Sequence, residues 1–356
     1  MSDSKSNDWL FLIFDHCCEE IESYTNGGFC PIKLGDMLGP GDRYRIVCKL
    51  GFGDYSTVWL AQDCVLSNRI VALKIIEADQ TGQSRELDIL QCLAVPESIP
   101  SMDPRAIQLL DSFETTSANG VHQVLVTEVV FPLFAQDRSE LPPFHPRVTK
   151  DVLRQIVEAL ASIHGHGIAH GDLHPTNFGI TVPERDEYDT AIWSMTCGSK
   201  LYPLVPTSPD LDPNTFPPYL CRPRNIEYFL LSHSEKTSPP PFSVRILDCG
   251  SAYVVDGSPA PECETLLFYA APEVAFPRIA LQEDDAPWDQ RSDIWSLAVA
   301  FHDLVGAQGI YGSLSDPKSL PHLMAALCGE VLDAWREYIV SHAFPPNWTP
   351  AHTAEL

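Results

Sequence analysis

HGDLHPTN, residues 170–177, is the stretch that decides how the rest of this sequence is interpreted. It follows a helical pattern and sets Asp172 five residues before Asn177, with Pro175 stiffening the loop between them. A loop of this kind can direct a carboxylate at a hydroxyl group and an amide oxygen at a magnesium ion. Because an ordinary Asx-rich loop after a helix shows similar letters, the flanking sequence has to decide.

The sequence upstream contains a candidate phosphate-binding loop and a candidate ion pair. In LGFGDYSTVWL (residues 50–60), Gly51 and Gly53 lie between two predicted strands, where backbone amides can approach a triphosphate without obstruction by side chains. VALKI places Lys74 in the next strand, and a buried ammonium needs a partner because its desolvation is costly. Glu86, on the following predicted helix, is the natural partner. The alternatives are a plain hairpin and a lysine that reaches water.

Three more motifs follow downstream. LDCG supplies Asp248 after a predicted strand as a second oxygen ligand for Mg²⁺, YAAPE ends at Glu273, and SDIWSLA contains Asp293. Each motif is weak alone. Together they supply, in order, the groups with which a protein positions and neutralises a transferring phosphoryl group.

Hydrophobic periodicity predicts an α+β protein of two lobes. One helix has Ser84 as its N-cap and Glu86 on its packed face, and a second begins near Thr149 and ends at Gly165. The second helix has an apolar stripe formed by Val152, Ile156, Ala159, Leu160 and Ile163. The predicted organisation is an N-terminal extension (1–43), a β-rich lobe (44–130), the first part of a helical lobe with the 170–177 loop (131–181), a Pro- and Ser-rich spacer insert or surface loop (182–243) and the second part of the helical lobe, short at its C-terminus (244–356).

Composition predicts a folded protein with an acidic surface. Hydrophobic residues make up 44% of the 356 residues, and 48 acidic against 23 basic residues give a net charge of −25. Such a charge disfavours direct binding to nucleic acid and membranes and favours basic partners. The alternative is that the negative charge serves only to keep the protein soluble. The 11 cysteines form no C-x-x-C motif, so we expect a reducing compartment, the cytoplasm, the nucleus or both. The apolar run of residues 9–14 is too short to span a membrane, so we expect it to pack on the domain, with no signal peptide or anchor.

With these residues in hand, the sequence resembles the eukaryotic protein kinases from about Tyr44 to the region of Asp303. Within them it is most similar to the serine/arginine-rich protein kinases, including divergent fungal members. The narrower resemblance depends on GGFCPIKLGD before the first lobe, GDYSTVWLAQD in the glycine loop and the long spacer after the 170–177 loop.

The resemblance implies a two-lobed kinase fold, ATP and Mg²⁺ as cofactors, and a role for each motif. Asp172 would accept the proton of the substrate hydroxyl, and Asn177 and Asp248 would hold magnesium. Behind the small gatekeeper Thr127, the residues of the ATP site would be Leu50, Gly51, Gly53, Ser56 in place of a third glycine, Val58, Ala72, Lys74, Glu128 and Val130. A monomer that phosphorylates serine (or threonine) in basic, Arg/Ser-rich proteins is expected.

Four departures from the kinase pattern stand out. Gly171 replaces the arginine that reads a phosphorylated activation loop in many kinases, so we do not expect activation-loop phosphorylation to be the switch. His174 replaces the lysine that contacts the γ-phosphate. Only 63 residues follow Asp293, with no late arginine to pair with Glu273, and the spacing from Lys74 to Glu86 is short for the family.

Two other functions fit parts of the sequence. Histidine at position 174 is also typical of kinases of the aminoglycoside and choline type, although YAAPE and SDIWSLA are typical of kinases with protein substrates. A pseudokinase that binds partners without turnover is the other alternative. Against it, Lys74, Asp172, Asn177 and Asp248 are all present.

We predict that His174→Lys raises turnover several-fold. An imidazole is mostly neutral at pH 7, so it compensates the charge of the transition state less well than an ammonium does. Steady-state kinetics of phosphate transfer would measure the effect, and an unchanged or lower kcat would contradict this role of position 174.

Overall fold

The computed structural model describes residues 9–11, 18–66, 69–94, 106–133, 146–181, 200–206, 211–223, 243–283, 286–305, 310, 317–329 and 333–341. Contacts divide the chain into two compact units. Unit 1 comprises Met1–Phe131 and Ile180–Ser243, and unit 2 comprises Pro132–Gly179 and Val244–Leu356. The predicted spacer insert therefore belongs to unit 1.

Strands and helices follow the order that the sequence predicts, with additional strands in the extension and the spacer. The strands are β1 (Trp9–Phe11), β2 (Met37–Leu38), β3 (Tyr44–Phe52), β4 (Ser56–Asp63), β5 (Ile70–Ile76), β6 (Leu109–Ser117), β7 (Gly120–Thr127), β8 (Phe131–Pro132), β9 (Ile168–Ala169), β10 (Phe178–Thr181), β11 (Leu201–Pro206), β12 (Tyr219–Cys221), β13 (Ser243–Ile246) and β14 (Tyr253–Val254). The α-helices are α1 (Glu86–Leu93), α2 (Pro146–Gly165), α3 (Pro272–Phe276), α4 (Gln290–Leu304), α5 (Leu320–Cys328) and α6 (Asp333–Ser341).

A six-stranded antiparallel sheet with the order β2-β3-β4-β5-β7-β6 is the centre of unit 1. The central strands β4 and β5 are almost completely buried, because their apolar, β-branched sequences are covered on both faces. One apolar cluster on the sheet includes Tyr44, Ile46, Trp59, Leu73, Val124 and Val126. The β-rich lobe predicted from the sequence is thereby confirmed.

Helix α1 packs through the face that its periodicity predicts. Ile89 and Leu90 are buried, and Glu86 is buried with them. The Ser84 hydroxyl accepts a hydrogen bond from the Glu86 amide at 3.3 Å. The start of the helix therefore places an acidic side chain inside unit 1.

Residues of the N-terminal extension and the spacer fold together in unit 1. Strand β11 pairs with both β1 and β12, and Phe11 lies opposite Leu204. A second apolar cluster joins Ile21, Tyr24 and Phe29 of the extension to Tyr202, Leu204, Phe216 and Leu220 of the spacer. The sequence did not predict these strands, because the spacer is rich in proline and serine and the pairing partners lie almost 200 residues apart.

Unit 2 is built on helix α2, whose predicted apolar stripe is buried along its whole length. The helix ends at Gly165, and Gly167 follows with a φ of +74°, a left-handed conformation that favours glycine. Strand β9 then pairs with β14. Helix α4 begins after Asp289, whose side chain accepts a hydrogen bond from the Arg291 amide. No helix within the described residues is long and apolar enough to cross a membrane.

His122 in β7 is a buried histidine that stabilises the sheet of unit 1 only in its neutral form. Its Nδ1 donates to the Ile76 carbonyl at 3.0 Å, so its Nε2 accepts from the Ser117 hydroxyl at 2.7 Å. The Asn119 amide also donates to that hydroxyl oxygen. Burial lowers the pKa of His122, an effect that the bond to Ile76 partly opposes.

We predict that acid destabilises the fold through His122. Because the folded-state pKa lies below that of the unfolded chain, the unfolded state binds more protons as the pH falls below about 6.5. The loss attributable to this residue approaches at most about 1.4 kcal/mol per pH unit. Denaturant titrations between pH 7.5 and 5.5 should show a steeper loss for the parent than for His122→Gln. Equal slopes for the two proteins would contradict the prediction.

Candidate active site

The glycine turn between β3 and β4 exposes its backbone. Gly51 lies opposite Val58, and the Gly53 amide donates to the Ser56 carbonyl at 2.9 Å, which closes the turn. Within the described residues, no atom lies within 4 Å of the position that a Cβ would take on either glycine. The turn therefore leaves its amides accessible to a phosphate group.

Lys74 and Glu86 form the ion pair that their positions in the sequence suggested. Lys74 Nζ lies 2.9 Å from Oε1 and 2.7 Å from Oε2 of Glu86, whose side chain is buried. Strand register places Lys74 opposite Val58 and sets Ala72 opposite Thr127. One sheet thus carries the Lys74 ammonium on β5, the apolar side chain of Val58 on β4 and the glycine turn between β3 and β4.

The segment after β7 is fixed by a residue that sequence analysis missed. Two hydrogen bonds link Gln108 to Glu128. The Glu128 amide donates to the Gln108 carbonyl, and the Gln108 amide donates to Glu128 Oε1 at 3.0 Å. The Thr127 hydroxyl donates to the Glu128 carbonyl at 3.2 Å. Val130 is half-buried. The backbone that the kinase resemblance assigns to adenine is therefore held in place from β6.

In unit 2, the 170–177 loop gathers Asp172, His174 and Asn177 into one hydrogen-bonded group. Asn177 Nδ2 lies 2.8 Å from the Asp172 carbonyl, 3.2 Å from Asp172 Oδ2 and 3.0 Å from His174 Nε2. His174 Nε2 is 3.3 Å from Asp172 Oδ2, and its Nδ1 contacts the Thr176 hydroxyl at 2.7 Å. The other carboxylate oxygen, Asp172 Oδ1, is buried and has no hydrogen-bond partner among the described residues.

Asp248 is placed beside this group by its neighbour Leu247. The Leu247 amide donates to the Asn177 carbonyl at 2.9 Å, and the Leu247 carbonyl accepts from His170 Nε2 at 3.0 Å. Asp248 itself has a φ of +58°, a left-handed conformation, and a Cβ added at Gly250 would lie 3.4 Å from Oδ1 of its carboxylate. A strand end and a loop distant in sequence are thereby brought together.

Asn177 and Asp248 suit a magnesium ion, a cation that takes oxygen ligands and retains water or phosphate in its other positions. The contacts of the Asn177 amide nitrogen turn its oxygen to the opposite side of the planar group. Among the residues that the structure describes, no cluster of three or more His, Cys, Asp or Glu side chains could hold a metal alone. Two protein oxygens completed by nucleotide phosphates fit this pattern.

Gly171 has a structural reason to be glycine. Its φ is +77°, and an added Cβ would lie 2.3 Å from Cη2 of Trp288. The ring of Trp288 thus fills the space that a side chain at position 171 would need. The Gly171 carbonyl also accepts from the Thr265 hydroxyl, and the Thr265 carbonyl accepts from Arg278 Nη1 at 2.8 Å. These contacts fix Thr265, in the segment after Asp248, to the loop.

The partner of Glu273 is another residue that sequence analysis missed. Glu273 Oε1 accepts from the Ser292 hydroxyl at 2.8 Å. Ser292 lies at the start of α4, next to Asp293. In the sequence, Ser292 is distinguished only by its position three residues after the N-cap Asp289. That position does not identify Ser292 as the partner of Glu273.

Residues 44–186 match the family model of the protein kinase domain. This segment of the chain is therefore similar to protein kinase domains. The match covers the glycine turn, the Lys74–Glu86 pair and the 170–177 loop, and the α+β kinase fold predicted from the sequence is confirmed. Asp248 lies outside this match, so its position is known from the structure.

The chain is similar to curated proteins that are named as serine/threonine or SRSF protein kinases. Serine/threonine-protein kinase spk-1 of Caenorhabditis elegans is 34% identical over 177 residues, which are 47% of this chain and 17% of the relative. Human SRSF protein kinase 3 is 34% identical over 174 residues, 46% of this chain and 30% of the relative. A serine/threonine protein kinase of Aspergillus fumigatus is 27% identical over 330 residues, 87% of this chain and 70% of the relative. The chain therefore matches less than a third of the length of the first two.

We predict that Gly171→Ala destabilises the protein by about 2 to 4 kcal/mol, because it adds a collision with Trp288 to the cost of a left-handed backbone. Gly257→Ala is the matched control, since Gly257 has a φ of +92° but open space within the described part of the chain. The control should cost only about 1 kcal/mol. Equal losses in denaturant titrations of the two variants would exclude a steric role of Trp288.

Proposed function

We propose that this chain is an ATP-dependent protein serine/threonine kinase that phosphorylates serine, and also threonine, in basic, Arg/Ser-rich proteins. The observation that carries the proposal is the state of Asp172. One of its oxygens contacts Asn177, while Oδ1 is buried without a donor among the described residues. An unsatisfied buried acceptor costs about 1 to 3 kcal/mol, so its presence calls for a functional explanation. A substrate hydroxyl would supply the missing donor.

In this proposal, each group performs one part of phosphoryl transfer. Asp172 accepts the proton of the serine hydroxyl as its oxygen attacks the γ-phosphorus. Lys74, kept charged and oriented by Glu86, neutralises α- and β-phosphate oxygens, and the glycine turn donates backbone amides. Magnesium, held by Asn177 and Asp248, would neutralise further phosphate charge when bound. His174 positions Asn177 through its ring nitrogen.

The choice of substrate rests on charge and on the relatives. A net charge of −25 attracts basic segments and repels nucleic acid and anionic membranes. Two relatives are named for SRSF or SRPK kinase activity. We therefore propose a basic protein as the partner, with no direct nucleic-acid or membrane contact, for a monomeric enzyme of the cytoplasm, the nucleus or both.

We predict that Asp172→Asn reduces phosphate transfer at least about a hundredfold, because the carboxylate that accepts the proton is lost. The assay uses labelled ATP, Mg²⁺ and a peptide of alternating arginine and serine, with a peptide in which glutamine replaces arginine as the acceptor control. Asp256→Asn, which alters an exposed turn carboxylate, is the matched control variant and should retain full activity.

The same assay separates the other possibilities. Transfer to choline or an aminoglycoside but not to the peptide would overturn the proposal of a protein substrate. Nucleotide binding without transfer, identical in the parent and in Asp172→Asn, would identify a pseudokinase. Equal transfer to the arginine and glutamine peptides would leave a protein kinase but exclude the proposed recognition of basic sequences.

A further inference from the structure

A buried ion pair lies directly beside the glycine turn, and one of its members lies outside the residues that match the kinase domain. Lys49 is fully buried, and its ammonium donates to Glu19 Oε1. The Tyr24 hydroxyl donates to the same oxygen at 2.7 Å. Burial lowers the pKa of Lys49, and the neighbouring Glu19 carboxylate opposes that shift. Glu19 is therefore the group that offsets part of the cost of burying this ammonium in unit 1.

Lys49 occupies the point where the paired strands become the glycine turn. It lies opposite Trp59, the next pair is Gly51 with Val58, and the register shifts between the two pairs. A shift of this kind bends the strand and alters its twist. Lys49 is thus the last paired residue of β3 before the register shift, and Gly51 and Phe52 pair with β4 beyond it.

The ammonium contacts aromatic rings from both sides of this bend. Lys49 Nζ lies 5.0 Å from the ring centroid of Trp59 on β4 and 5.7 Å from that of Phe52 within the turn. Both distances are within the range of cation–π attraction. Trp59 is fixed in turn, since its Nε1 donates to the Thr57 hydroxyl at 3.0 Å. One buried charge therefore joins the two strands on which the turn depends.

Glu19 is held in place by parts of the chain distant from the turn. The extension that carries it packs on the spacer strands β11 and β12 through the cluster of Ile21, Tyr24 and Phe29. The Asn119 side-chain amide strengthens the junction by donating to the carbonyls of Phe29 and Thr215, at 2.7 Å each. The position of the carboxylate thus depends on both the extension and the spacer.

We propose that Glu19 is a positioning residue for nucleotide binding: through Lys49 it holds the glycine turn in the conformation that receives the phosphates. The inference rests on the proposed function, because it assigns the turn to ATP. The extension and the spacer then act on nucleotide affinity without contacting the nucleotide.

The test is direct binding of a fluorescent N-methylanthraniloyl ATP with Mg²⁺ to the full chain. Glu19→Gln is expected to raise the Kd about five- to tenfold, the range of an ordinary coupling between two sites. In kinetics, KM for ATP should rise while KM for the peptide stays constant. Lys49→Arg, which retains the positive charge beside Glu19, should raise the Kd less than Glu19→Gln does.

Asp63→Asn is the matched control. Asp63 accepts from Arg43 at 2.7 Å and lies opposite Tyr44, so this variant breaks an ion pair at the far end of the same two strands. It should lower stability without changing the Kd. A parent-like Kd for Glu19→Gln, or an equal rise for Asp63→Asn, would overturn the inference.

A second variant keeps the test decisive if Glu19→Gln does not fold. The double variant Glu19→Gln/Lys49→Met removes both charges, and neutral replacement of a buried pair commonly preserves folding. A folded double variant with weakened nucleotide binding supports the inference, and one with the parent Kd overturns it. If the parent itself does not bind the nucleotide, the proposed function fails instead.

Discussion

The carboxylate of Asp293 is the group on which the candidate active site of unit 2 depends. Its two oxygens accept from the backbone amides of His170 and Gly171, at 2.7 and 2.9 Å, and His164 Nε2 lies 2.8 Å from one of them. Asp293 is almost fully buried, so these hydrogen bonds form in a medium of low dielectric, where they are strong. These hydrogen bonds fix His170 and Gly171, the first two residues of the 170–177 loop.

Beyond Asp293, a series of hydrogen bonds fixes the rest of the 170–177 loop. His170 accepts the Asp172 amide on Nδ1 and donates from Nε2 to Leu247, so one neutral imidazole joins the loop to the strand end that precedes Asp248. Asn177 then closes the loop on the Asp172 carbonyl. Because these hydrogen bonds hold the loop at His170, Asp172 and Asn177, Asp172 has little freedom of orientation, as a group that accepts a proton requires.

Unit 1 uses buried charge in a different way. Lys74 of β5 with Glu86 and Lys49 of β3 with Glu19 place two ammonium groups on the two strands that flank β4, each paired with a carboxylate from outside the sheet. Such pairs contribute little net stability, since desolvation offsets their attraction. They determine position instead. The first fixes a charge beside the glycine turn, and the second joins the turn to the extension and the spacer.

The sequence by itself determined the elements whose pattern is local. The periodicity of α2, the buried face of α1 with Glu86 and the succession of strands along unit 1 follow from side-chain spacing, and the motifs from Gly51 to Asp293 follow from short stretches of chain. Only the tertiary structure decided the contacts between distant residues. Trp288 against Gly171, Ser292 on Glu273 and Glu19 on Lys49 join positions 19 to 117 residues apart, and the spacer strands find their partners in the extension. No local pattern encodes such pairs, because their energy comes from burial that exists only once the chain is folded.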